Sequence, residues 1–187
     1  MESLTLLVRI RQFSTIDFEI YGTEVAAEML PRLRGQPNNF PASSSDDELL
    51  HTVSDSIDLL QDPADTGFAF FVRHYASTWT LSTVLLVFES AVFLSRWIEH
   101  TAIGSSETEA CQATLRRLKE TVSMAWSSLD DLDGSQNQVD TETLAKSALL
   151  YWGCVLEALV EKPFARMLGK ALSYYARSIG TTEGDIT

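Results

Sequence analysis

Cysteine is scarce in this chain: Cys111 and Cys154 are the only two among 187 residues. Two cysteines without Cys-x-x-Cys spacing make no zinc site, and a disulfide or a reactive thiol is the alternative to two inert thiols. Both fall on apolar helix faces, so two buried free thiols in a reducing compartment are expected. Histidine is nearly as sparse, with His51, His74 and His100. None lies in His-Glu-x-x-His, and the paired Glu-x-x-His motifs of a di-iron bundle are lacking. No metal and no cofactor are therefore expected. GxGxxG and GxxxxGK[ST] loops are absent, and so is a GxSxG elbow, which leaves nucleotide cradling and hydrolase chemistry without a sequence basis.

Positive charge is also short. Lysine and arginine number 14 against 26 acidic residues, for a net charge of -12. Such a chain is repelled by nucleic acid and by anionic membrane, so no direct nucleic-acid contact is expected. The start, Met1-Glu-Ser-Leu-Thr-Leu-Leu-Val, has no basic segment ahead of its apolar part. It does not read as a secretory leader, and an intracellular location, nuclear or cytoplasmic, is expected.

What the chain does have is one long apolar run, Leu81–Ile98, with few polar residues on any helical face. A helix apolar all round is either a core helix or a membrane span. A span needs about 20 apolar residues. This run carries Glu89 near its middle and Arg96 near its end, each costing about 2.5–3.5 kcal/mol at a helix centre. A core helix over 79–102 is expected, and no transmembrane segment.

Around it the periodicity is helical. A helix over 46–61 has Ser45 and Glu48 as a capping box, Leu49, Leu50, Val53, Ile57 and Leu60 on its apolar face, and Pro63 just past its end. A short helix spans 66–77. Ser106 and Glu109 form a second capping box, followed by Cys111, Leu115, Leu118, Val122, Trp126 and Leu129 at spacings of three and four. A second very apolar helix runs over 142–161, with Leu144, Ala148, Leu149, Tyr151, Trp152, Val155 and Leu156. Pro163 opens the last helix, which ends near Gly180. Residues 2–21 fit either a helix or a short β-hairpin turning near Ser14-Thr15, and Thr23–Leu33 reads as helix. The loops are 34–47, 130–141 and the tail 181–187. Asp130–Asp140 lacks the register of a calcium loop. The expected fold is all-α: one domain, 1–187, of about seven helices around the central one.

Two features carry chemical interest. Glu89 sits inside the apolar helix, where it either lies at the rim of the core or pairs with Arg73, Arg96 or His100. In the last helix Lys162, Arg166 and Lys170 line one side, and no acidic residue occurs between Glu161 and Glu183. That basic stripe answers acidic neighbours or meets an acidic partner or membrane surface.

Three segments carry a family resemblance: Phe88-Glu-Ser-Ala-Val-Phe-Leu-Ser-Arg-Trp97, then Thr114-Leu-Arg-Arg-Leu118 running to Met124-Ala-Trp126, then Leu150-Tyr-Trp-Gly-Cys154. From Phe88 onward the chain resembles the helical regulatory region of fungal zinc-binuclear-cluster transcription factors. The six-cysteine DNA-binding cluster of that family is not in this sequence. The resemblance implies a regulatory module acting through a protein partner or a small apolar ligand. A second resemblance is to Bcl-2-like proteins: Leu50-x-x-x-x-Asp55 has the spacing of a BH3 segment, and Trp79 opens the central helix as in BH1. Thr78-Trp79-Thr80-Leu81 stands where that family has Asn-Trp-Gly-Arg.

The function expected is a non-enzymatic intracellular regulator. Its binding residues are expected at Trp79, Phe88, Glu89, Trp97 and Trp152, with the stripe Lys162, Arg166 and Lys170. Its partner is a protein, a second copy of the chain included, or a small apolar ligand. The alternatives are a Bcl-2-like regulator binding BH3 helices, and a helical biosynthetic enzyme with a buried apolar pocket converging on Glu89 or His74.

Overall fold

Helical periodicity translates into helices with few changes of boundary. The structure is a computed structural model that describes residues 2–13, 40, 47–103, 108–130 and 141–179. Among them are seven α-helices and no strand. They are α1 (Glu2–Phe13), α2 (Asp47–Thr66), α3 (Phe68–His74), α4 (Leu81–Ile103), α5 (Glu109–Asp130), α6 (Thr141–Glu157) and α7 (Pro163–Ser178). A 3-10 turn, Ala76–Thr78, joins α3 to α4.

The central run is α4. Every residue from Leu86 to Ile98 is buried. By length and composition Leu81–Ala102 could cross a membrane, but 78% of its apolar window lies inside the domain. The reason is coverage: α4 packs most extensively on α6, and also on α1, α7 and α2. Around it, α2 pairs with α5 and α6 pairs with α7. The stripe of α5 turns Cys111, Leu118 and Val122 fully inward. On α7, Leu168, Leu172 and Tyr175 are buried and Phe164 is half-buried. Trp97, Trp152, Tyr151, Phe88 and Phe93 are the largest wholly buried side chains. Burying each such side chain stabilises the fold by roughly 1.5–3 kcal/mol or more.

Several boundaries differ from expectation. Pro63 does not lie past the end of α2 but inside it, and is buried. A proline removes one backbone donor and crowds the carbonyl four residues back. Here the helix runs on for one more turn, in which Thr66 Oγ1 donates to Asp62 O (2.7 Å) and Gln61 Nε2 to Asp65 Oδ1 (2.8 Å). The stop comes at Gly67, whose φ of +82° suits glycine alone; its N–H still reaches Pro63 O at 3.1 Å. α5 starts at Glu109, where Thr108 Oγ1 accepts from Cys111 N (3.4 Å); Ser106 lies outside the described residues. α6 ends at Glu157 rather than near 161. Lys162 precedes a proline and is extended (φ -120°, ψ 83°), so the chain leaves the helix upstream in a tight turn.

Within 2–21, Glu2–Phe13 is helical, with Leu6 and Ile10 buried. The proposed turn at Ser14-Thr15 and the limb beyond it lie outside the described residues, as do the helix at Thr23–Leu33 and the tail 181–187. The 130–141 loop is outside them except at its ends. Of the 34–47 loop, Phe40 is described: it is half-buried against Phe93 and His100, with ring centroids 5.8 and 5.3 Å away.

α6 and α7 come unusually close. A Cβ on Gly169 would stand 2.7 Å from Gly153 O and 2.8 Å from Glu157 N. A Cβ on Gly153 would stand 2.7 Å from Ser173 Oγ and 3.1 Å from Gly169 O. The two glycines let the helix backbones touch.

Candidate functional site

Glu89 is placed in the core by its neighbours in the apolar helix, and no group nearby in sequence answers its charge. Its partner is Arg11 of α1, not Arg73, Arg96 or His100. Arg11 Nε donates to Oε2 at 3.0 Å and Nη2 to Oε1 at 2.9 Å, a bidentate fork. The carboxylate is fully buried while the guanidinium is 40% exposed. Burial pushes the Glu89 carboxyl above its ordinary 4.5, and the Arg11 hydrogen bonds and charge pull it back. Both oxygens are engaged, which leaves a carboxylate suited to holding α1 rather than to moving a proton. Arg9 reinforces the attachment by pairing with Asp55 and meeting His51 Nδ1 at 3.1 Å. The Asp55 of the BH3-like spacing is thus engaged within the chain.

The other expected site residues separate by depth. Phe88, Trp97 and Trp152 are fully buried, so a partner on the folded surface does not reach them. Trp79 is half-buried and joins a run of aromatic rings. It meets Phe71 edge-on (5.5 Å) and Trp152 (6.3 Å); Trp152 meets Tyr151 (5.9 Å), which meets Trp126 (6.2 Å) and Phe68 (6.4 Å). Edge-to-face contacts of this kind add about 0.5–1.5 kcal/mol each. The Trp79 carbonyl accepts a hydrogen bond from Lys162 Nζ, which ties the start of α4 to the start of α7. Arg166 and Lys170 are exposed and lie on the same side of α7 as Lys162.

Beside this aromatic run is a cleft of about 400 Å³ between α3 and the α6–α7 connection. Phe68, Val72, Leu159 and Val160 supply apolar wall, and Arg73, Glu161 and Lys162 bring charge to it. Neither Glu89 nor His74 lines it. His74 is exposed, its ring 4.4 Å from that of Phe70. A helix expected through 161 hides this cleft; the signal for it in the sequence is Pro163, which dictates an extended residue before it.

The cysteines offer little reactivity. Neither is in a disulfide; Cys111 is buried and Cys154 half-buried. Burial first, and then the negative charge of Glu157, raise the Cys154 thiol above its ordinary value and disfavour the thiolate. No cluster of three or more histidine, cysteine, aspartate or glutamate side chains fit to hold a metal occurs among the described residues.

Comparison with known proteins adds one finding. The profile of the family described as the fungal transcription factor C-terminal domain matches residues 11–174. The match begins at Arg11, well before the Phe88 at which the resemblance is legible by eye, and takes in every helix from α2 to α6. No curated protein and no solved structure matches.

Proposed function

The chain belongs to the fungal transcription factor C-terminal domain family, and on that basis we propose that it is a non-enzymatic regulatory module working through a protein partner. The family gives it a transcription-factor-related regulatory role, and such a role is exercised inside the cell. The finer reading has the module in the nucleus, with DNA contact made by an element other than residues 1–187. The family match over 11–174 is the observation that supports the regulatory role. The net charge of -12 agrees, since that charge opposes docking on DNA phosphates.

The test joins the full chain to an unrelated DNA-binding domain and measures a reporter placed under that domain's site. Expected is a change of several-fold in reporter output relative to the DNA-binding domain alone. An unchanged reporter, with both proteins present at equal levels, would remove the regulatory reading.

A further inference from the structure

Within that regulatory reading, we propose that the cleft between α3 and the α6–α7 connection is the seat of an amphipathic helix bearing acidic residues, contributed by the protein partner. The proposal rests on shape, apolar surface and charge found at one place.

The apolar component is Val72 and Phe68 on one wall and Leu159 and Val160 on the other. Val160 is 70% exposed, more than Leu81 at 60% or Val8 at 56%. The turn that ends α6 holds it out at the mouth of the cleft, where none of the described residues covers it. A volume of about 400 Å³ lies within the range of roughly 300–1,000 Å³ typical of binding sites. It is a concave space suited to one or two projecting apolar side chains.

The charge component is local and opposite to that of the chain. Arg73 and Lys162 stand at the cleft, with Glu161 as the one acidic side chain among the described residues that line it. Lys162 gives one of its three N–H groups to the Trp79 carbonyl, and its charge remains at the mouth. From Lys162 the exposed side of α7 continues through Arg166, Lys170, Tyr174 and Arg177, and α7 holds no acidic residue. On a chain of net charge -12 this is a cationic track leading from an apolar hole. It fits a ligand with apolar side chains at one end and carboxylates along the next turns, which is the pattern of an amphipathic helix with anchors three and four residues apart. No strand edge is present among the described residues, so strand addition is not the mode. A bilayer presents no protrusion to fill a concave cleft, and its anionic surface is repelled by the rest of the chain.

The probe is a fluorescein-labelled, helix-forming peptide with leucines three and four residues apart and aspartate or glutamate between them, titrated with the full chain by fluorescence anisotropy. Saturable binding that weakens as salt rises is expected. Val160→Asp and the double variant Arg166→Glu/Lys170→Glu each weaken binding about tenfold or more, with helical circular dichroism unchanged because all three side chains are exposed. A peptide with lysine in place of its acidic residues does not bind. The assignment is overturned by absent saturable binding, by binding indifferent to both variants, or by equal binding of the lysine peptide. It is likewise overturned if dodecanoate or phosphatidylserine vesicles bind in the peptide's stead, or if the chain self-associates through a contact that Val160→Asp abolishes. A reporter that responds in the fusion assay while the peptide fails to bind removes this site and leaves the regulatory reading standing.

Discussion

At the scale of single residues, Glu89 ties stability to pH through a carboxyl whose folded-state value is raised. Below its ordinary 4.5 the group is protonated whether folded or unfolded, and folding carries no carboxylate charge into the core. As pH rises through the raised folded-state value, the buried site must accept a charge, and that part of the stability is lost. Glu89→Gln removes the titration. The melting temperature of Glu89→Gln relative to the parent should therefore climb as pH rises from about 4 to about 8, and level off once Glu89 is ionised in the folded protein. A difference that stays constant across that range would refute the assignment. The buried serines of α4 make a second residue-scale case. Ser90 Oγ and Ser95 Oγ are buried and find no hydrogen-bond partner among the described residues. A buried hydroxyl without a partner is a cost, and alanine is the better helix former. Ser95→Ala is expected to raise unfolding free energy by roughly 0.5–1 kcal/mol in urea melts, where most buried substitutions lower it.

At the scale of elements, α6 and α7 owe their closeness to Gly153 and Gly169. Alanine for glycine inside a helix ordinarily gains about 1 kcal/mol of propensity. At Gly169 the added methyl would meet only backbone and the stem of Glu157, none of which moves cheaply. Gly169→Ala should lower stability by about 1–3 kcal/mol. Gly153→Ala should cost less, because its nearest obstacle is the Ser173 hydroxyl, which can rotate. Equal or opposite rankings in denaturant melts would show that the helices do not touch there. These elements also show what was legible in the sequence. The stripe of α5 is a local pattern, so spacing alone placed Cys111, Leu118 and Val122 inward. The end of α2 escapes the proline rule because that rule is local too, whereas burial of Pro63 arises from tertiary packing. Arg11 and Glu89 are 78 positions apart, and no periodicity reports a pairing at that range. Two glycines read as ordinary helix positions until the helices that carry them are set side by side. The cleft is formed by a connection, and connections are where periodicity is silent.

At the scale of the whole molecule, the chain carries a net charge of -12, while α7 holds Arg166, Lys170 and Arg177 and no acidic residue of its own. The isolated chain should therefore leave duplex DNA unretarded in gel shift at physiological salt, and lowering the salt should not rescue binding, since self-repulsion from phosphate grows as screening falls. Retardation that strengthens at low salt would mean that the α7 track docks on nucleic acid instead. An all-α architecture around an apolar helix is legible at this scale because α4 is so apolar that few architectures accommodate it. The order of synthesis adds a consequence of its own. α4 leaves the ribosome well before α6, the helix it packs on most extensively. Until about 40 further residues have emerged, at roughly 5–20 residues per second, a nascent chain displays a helix with the hydropathy of a membrane anchor. For those seconds the protein's fate depends on which arrives first: its own C-terminal half, or the cellular factors that bind exposed hydrophobic segments.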